Sequence, residues 1–324
     1  MELRRARTGS GLHVELRAPQ GWISVTKALT RMGISDTADA RRWGGDIVAL
    51  LGAEPDVRAL LTDAAADIEP ETTPDSDVVI PFEPRSFRDF MLYEAHAIAA
   101  ARGFVRRFMP GAARLVGAYE TLTRRTFPKL RPHALWYRQP IYYMGNHLNV
   151  ATDGDDIAVP SYTHALDYEL ELGFVLARPL RDARPDAAEA AIGGFIVLND
   201  FSARDVQAAE MASGFGPQKA KHFASAISKV VVTADAILPR WRALSCSVRL
   251  NGKLIAETST AGAKWSLGEV VAHAARGEQL HAGELFGSGT LPGGSGIETG
   301  HLVTRGDLIE IAIEGIGSLA NRIV

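Results

Sequence analysis

Leu166-Asp167-Tyr168-Glu169-Leu170-Glu171-Leu172-Gly173-Phe174 is a strand-like run with two carboxylates two residues apart among apolar side chains. Strand side chains alternate faces, so Glu169 and Glu171 point one way while Leu170 and Leu172 point the other. Like charges on one face repel, and each needs a partner if it is buried. A divalent cation is the simplest partner, because paired carboxylates offer hard oxygens to Mg²⁺ or Ca²⁺. The competing reading is the solvent-facing side of an amphipathic strand, which the same alternation fits.

The chain has 324 residues, enough for one large domain or two ordinary ones. Its 46% hydrophobic and 23% charged residues are those of a globular protein. A net charge of −3 gives no basic excess, so no nucleic-acid partner is expected. Arg4, Arg5 and Arg7 precede Gly9-Ser10-Gly11 and read as surface decoration of a first hairpin. The single cysteine, Cys246, excludes internal disulfides and a cysteine-built zinc site. It lies in the strand-like run 244–250 before Asn251-Gly252, so it reads as a packed residue rather than a nucleophile. No apolar run reaches the ~18 residues of a membrane span, so no membrane partner is expected. The first residues lack the apolar core of a secretion signal, and the expected location is the cytosol.

Leu12–Leu16 and Trp22–Val25 bracket Pro19-Gln20-Gly21, the pattern of a hairpin. Helical stretches follow around Ala38–Leu51 and Pro55–Ala66. The polar segment 70–77 carries Pro70 and Pro74 and reads as a linker. It divides a small N-terminal domain (1–75) from a larger one (76–324). Ser86 is placed to cap a helix running to Arg102, which would set Asp89 and His96 on one face about 10 Å apart. Beyond Tyr137 come short strands broken by Gly, Pro and Asp, such as 157–159, 194–198 and 308–313, with a helix over 186–191 and a last segment 321–324. The expected class is α+β, mostly β. Regular βαβ alternation is absent, which disfavours a doubly wound sheet.

Two other segments carry chemistry. In Leu198-Asn199-Asp200-Phe201-Ser202-Ala203-Arg204-Asp205-Val206-Gln207 an apolar strand gives way to polar groups, and Asp200 alone would read as a helix cap. The glycine-rich run 287–298 lacks the Lys-Ser/Thr of a phosphate loop, and Pro292 replaces the third glycine of a dinucleotide fingerprint. It reads as a turn presenting Glu298. Neither a Gly-x-Ser-x-Gly elbow nor a His-Glu-x-x-His helix occurs.

In this order, from about residue 80 to the end, these segments resemble the fumarylacetoacetate hydrolase family. The resemblance rests on Arg88-Asp89-Phe90 with His96, Asp167-Tyr168-Glu169-Leu170-Glu171, and the run Asn199 to Gln207. Lys219-Ala220-Lys221-His222-Phe223, Gly287-Ser288-Gly289-Thr290 and Gly306-Asp307-Leu308-Ile309-Glu310 complete it. It implies a mixed β-roll or β-sandwich catalytic domain behind a small N-terminal domain, assembled as a homodimer. It also implies a Mg²⁺ site, with Ca²⁺ or Mn²⁺ as alternatives, held by Glu169, Glu171 and Asp200 with Asp89 as a fourth carboxylate.

The implied activity is hydrolysis of a C–C bond in a β-diketo acid, an acylpyruvate or a fumarylacetoacetate-like substrate. His96 would take a proton from water while Glu298 holds its imidazole. Lys221, Arg204 and Gln207 match substrate-facing positions, Thr290 and Gly289 would bind a carboxylate or carbonyl, and Tyr143 is a further substrate contact. Met91 and Met211 stand where the eukaryotic enzymes carry tyrosines, which implies a less polar acyl group. Arg204 has a simpler alternative role, an ion pair with Asp205. For the whole protein the rivals are a lyase, decarboxylase or isomerase of 2-oxo acids, and a non-catalytic scaffold with structural Ca²⁺.

Overall fold

The computed structural model describes residues 1–9 and 11–324, so Ser10 of the expected Gly9-Ser10-Gly11 turn lies outside the described residues. The paired glutamates lie on the strand Glu169–Leu176, in which every residue is buried. Leu170, Leu172, Phe174 and Leu176 enter one hydrophobic core, while Val175 enters a second one on the opposite face. Alternation therefore holds, but both faces are covered. The solvent-edge reading is excluded.

This strand pairs antiparallel with Ile192–Asn199 on one side and Leu285–Ser295 on the other. They belong to a 12-stranded mixed sheet. Beyond Ile192–Asn199 it continues through Val230–Thr233, Glu2–Thr8 and Gly11–Ala18 to Gly21–Ser24. Beyond Leu285–Ser295 it continues through Phe87–Phe90 to Tyr142–Gly145. A second, 5-stranded sheet built on Ser245–Leu250 and Leu308–Ile313 supplies Val248, Ile309 and Ile311 to the first core. The architecture is α+β with a large mixed sheet and a smaller N-terminal part, as the sequence led us to expect.

The hairpin around Pro19-Gln20-Gly21 is present, and Glu2–Thr8 pairs with its first strand. Arg4 and Arg5 are not surface decoration. Arg4 Nε donates to the buried Glu15 at 2.6 Å, and Arg5 pairs with Glu83 at 2.6 Å. Both faces of this strand are covered at Arg4 and Arg5, so each buried guanidinium is matched by a carboxylate partner. The expected stretch 38–51 is two helices, Ala38–Trp43 and Ile47–Leu51, interrupted at Gly44-Gly45. Pro55 opens the helix Pro55–Ala65, where its missing N–H costs nothing. Cys246 is a buried strand residue whose thiol is pushed up to about 12 by burial.

The largest departure concerns residues 86–102. Phe87–Phe90 is a strand with all side chains buried, and the helix begins only at Glu94 and runs to Phe108. Phe87 and Phe90 are anchored by parallel pairing to Leu285–Gly287 and antiparallel pairing to Tyr142–Gly145. Tertiary pairing overrides local helix propensity here. Asp89 and His96 are therefore on different elements, not on one helix face. The glycine-rich run is likewise strand rather than turn, ending in the short helix Gly296–Thr299 that carries Glu298.

Candidate active site

Three strands of the large sheet bring the carboxylates together. Asp89 comes from Phe87–Phe90, Glu171 from Glu169–Leu176, and Asp200 follows the end of Ile192–Asn199. Between the first two strands lies Gly287, in register with Asp89. A Cβ on Gly287 would overlap Asp89 Oδ1 and stand 2.7 Å from Glu171 Oε2, so only glycine lets these carboxylates meet. Ligand oxygens of Asp89, Glu171 and Asp200 all lie within 4.8 Å of one another, and all three residues are buried.

Glu171 and Asp200 are held by hydrogen bonds. Glu171 accepts from the Gly289 N–H at 3.0 Å and from the Thr290 hydroxyl at 3.4 Å. Asp200 accepts from the Tyr143 hydroxyl at 2.6 Å, Lys221 Nζ at 2.6 Å and the Ser225 hydroxyl at 3.1 Å. Asp89 Oδ1 is buried with no hydrogen-bond partner. Glu169 stands beside the cluster, its oxygens engaged by Arg204 Nη2 at 2.6 Å and by Lys221 Nζ. Arg204 Nε also donates to Asp167 at 2.7 Å. Asp205 instead accepts from the Thr163 hydroxyl and the His164 N–H, so the alternative Arg204–Asp205 pair does not form.

The charges do not balance. Counted as ionised, five buried carboxylates (Asp89, Asp167, Glu169, Glu171, Asp200) face two buried cations, Arg204 and Lys221, a formal excess of three negative charges. Burial and then the Asp200 charge push the Asp89 carboxyl well above its usual range. Burial and then Asp89 do the same to Glu171. Burial also opposes the charge on Glu169, but Arg204 and Lys221 outweigh it and hold that carboxyl well below the usual range. An unpartnered carboxylate oxygen amid hard oxygen donors fits a divalent cation, which would offset this repulsion.

A second constellation faces the first. His96, buried in the first turn of Glu94–Phe108, donates Nδ1–H to Glu298 Oε2 at 2.9 Å. Glu298 is fixed by the Gly293 N–H at 3.0 Å and the Ser295 hydroxyl at 2.7 Å. The two helices can approach because residue 103 is glycine: a Cβ there would overlap the Ile297 carbonyl oxygen.

A cavity of 660 Å³ opens between these constellations. Asp89, Glu169, Glu171, Lys221 and Arg204 line it, as does His96. So do Gln207, Thr290, Gly289 and Tyr143, and the apolar Met91 and Met211. Asp200 and Glu298 are not in the lining and act on it through Lys221, Tyr143 and His96. Gln207 Oε1 accepts from Arg204 Nη1 at 3.0 Å.

The sequence reading gave Asp167 no role. It accepts from the backbone N–H of Gly296 at 2.7 Å and of Ile297 at 3.0 Å, as well as from Arg204. It thereby ties the helix carrying Glu298 to the strand carrying the paired glutamates. Its two-residue spacing ahead of Glu169 and Glu171 was the available signal.

Residues 119–324 match the model for the C-terminal domain of fumarylacetoacetate (FAA) hydrolase, and the chain belongs to that family. It is 28% identical to the human oxaloacetate tautomerase FAHD1, mitochondrial, over 185 residues, which are 57% of this chain and 81% of that protein. It is 29% identical to the oxaloacetate tautomerase YisK of Bacillus subtilis (strain 168) over 187 residues, 57% of this chain and 61% of that one. Among solved structures it is similar to the fumarylacetoacetate hydrolase of Exiguobacterium antarcticum, with a TM-score of 0.70 and 21% identity over 100% of this chain and 99% of that one. The chain is thus an enzyme of a superfamily with hydrolase and tautomerase or isomerase branches, and it carries a candidate acidic metal site. The expected cytosolic location is corrected by the same comparison. The human relative is mitochondrial, so a missing secretion-signal core does not assign the cytosol. No described helix is long and apolar enough to cross a membrane.

Proposed function

We propose that this enzyme interconverts keto and enol forms of a 2-oxo or β-diketo acid, as a tautomerase or isomerase. The observation that carries this reading is the acidic cluster opening into the same cavity as the His96–Glu298 pair. The tautomerase relatives support it over hydrolysis as the first reading.

Asp89, Glu171 and Asp200 would hold a divalent cation, with Glu169 joining if its oxygens turn from Lys221. Mg²⁺ is the proposed ion, and Mn²⁺ or Ca²⁺ would satisfy the same oxygens. A cation there supplies Lewis-acid polarisation of the substrate's oxygens. Lys221 and Arg204 present positive charge to developing negative charge on the substrate. Gln207, Thr290, Gly289 and Tyr143 orient the acid, and Met91 and Met211 contact its apolar part. His96, with Nδ1–H committed to Glu298, has Nε2 free to move a proton to or from the substrate carbon.

The His96–Glu298 pair favours a second reading, C–C hydrolysis of an acylpyruvate, in which His96 takes the proton of an attacking water. Supplying enol-oxaloacetate and an acylpyruvate with Mg²⁺ or Mn²⁺ and identifying products separates the two. Keto product with an intact carbon chain supports the first reading, and released carboxylic acid supports the second. No turnover of either would overturn both. We also propose the domain division at residues 75/76 and, from the family resemblance, a homodimer. A sedimentation mass of one chain would reject the latter.

A further inference from the structure

Building on the 2-oxo acid reading, we propose that the enzyme accepts an extended apolar acyl chain, with Ala97, Ala100, Ala101 and Phe104 setting its length. These residues share one face of the Glu94–Phe108 helix with His96, and all of them line the cavity. The stripe rises about 12 Å from His96 to Phe104. Its first residue, His96, lines the same cavity as Asp89 and Glu171, where the polar head of a 2-oxo acid belongs. Its last residue, Phe104, puts an aromatic ring in the lining.

The chemistry of the wall selects the tail. Alanine methyl groups and a phenyl ring offer no hydrogen bond to a polar chain, so hydroxyl or amide groups there would be desolvated without compensation. Leu130, Ile141 and Ile297 extend the apolar lining. The cationic lining residues away from the acidic centre, Lys129 and Arg131, are solvent-exposed. A cavity of 660 Å³ is in the range of sites that enclose a ligand much larger than a four-carbon acid. Small side chains at positions 97, 100 and 101 keep that volume open next to His96.

Binding rather than turnover tests this. Isothermal titration of the Mn²⁺-loaded and the metal-free protein with pyruvate, 2-oxobutanoate, 2-oxohexanoate and 2-oxooctanoate gives a chain-length series. Affinity is expected to rise by up to about fourfold per methylene. Ala101→Leu is expected to cut the preference for 2-oxooctanoate over pyruvate by about tenfold, the equivalent of fewer than two buried methylenes. Ala97→Val serves as a milder second variant, with circular dichroism confirming that each variant is folded. A series flat from pyruvate to 2-oxooctanoate overturns the proposal, as does an Ala101→Leu protein that weakens both acids equally. A rising series without turnover of any 2-oxo or diketo acid supports the chain pocket and removes the functional reading. Turnover with a flat series removes the pocket alone.

Discussion

Asp167 has no atom in the cavity lining, yet it joins Arg204, Gly296 and Ile297 in one hydrogen-bonded knot. Burial pushes its carboxyl up, with Arg204 opposing. Asp167→Asn keeps the shape but removes the charge opposite Arg204. We expect a loss of about 2 kcal/mol in urea unfolding, the scale of a hydrogen bond to a charged group. We also expect a fall in kcat larger than any rise in KM, because Glu298 loses its fixed mount. Glu15 gives a pH-dependent case. Burial raises its carboxyl, but hydrogen bonds from Thr73 and Arg4 outweigh this and hold it below the usual range. Its contribution to stability is complete above the unfolded value of about 4.3 and is lost as pH falls through the lower folded value. Unfolding midpoints of the wild type and Glu15→Gln should therefore differ at neutral pH and converge in acid. At this scale the sequence was most informative about charge. The two-residue spacing marked the acidic face, whereas Asp167 stood beside it unread because it contacts backbone N–H groups from a segment far along the chain.

The Glu94–Phe108 helix and the Gly296–Thr299 helix meet at Gly103 and Ile297. Gly103→Ala must part them by a fraction of a side chain, which separates His96 from Glu298. Misplacement of catalytic groups by about 1 Å costs on the order of 100-fold in rate. We expect kcat to fall at least tenfold on that scale, with a stability loss of about 1–3 kcal/mol from overpacking. Unchanged kcat would show that the dyad does not take part in turnover. Local pattern failed at the neighbouring strand for a related reason. Phe87-Arg88-Asp89-Phe90 shows no alternation because both its faces are covered, and its parallel partner Leu285–Gly287 is distant in sequence. Arg88, buried against Glu284 and Glu278, anchors that strand on the side away from Asp89.

Across the whole molecule, the excess of buried negative charge makes cation binding a term in folding. Saturating Mg²⁺ or Mn²⁺ at about 100 times its Kd should stabilise the protein by about 2.7 kcal/mol. A chelator should reverse that, and a thermal scan reads both. Asp89→Asn should remove the metal effect while raising the metal-free midpoint by roughly 2 °C, since it relieves repulsion with Glu171 and Asp200. Fold class was legible because short strands, turn residues and the acidic spacing agree. The way the first strands join the large sheet was not, since no local signal pairs Glu2 with Val232.

That pairing bears on biosynthesis. The strands formed by residues 2–24 leave the ribosome long before Val230–Thr233 exists to receive Glu2–Thr8. Until then that edge of Glu2–Thr8 is covered only where Arg5 and Ala6 pair with Val79 and Val78, and Glu2 to Arg4 offer bare amide and carbonyl groups to another strand. We expect this long-range closure to slow refolding from denaturant, which stopped-flow fluorescence would read.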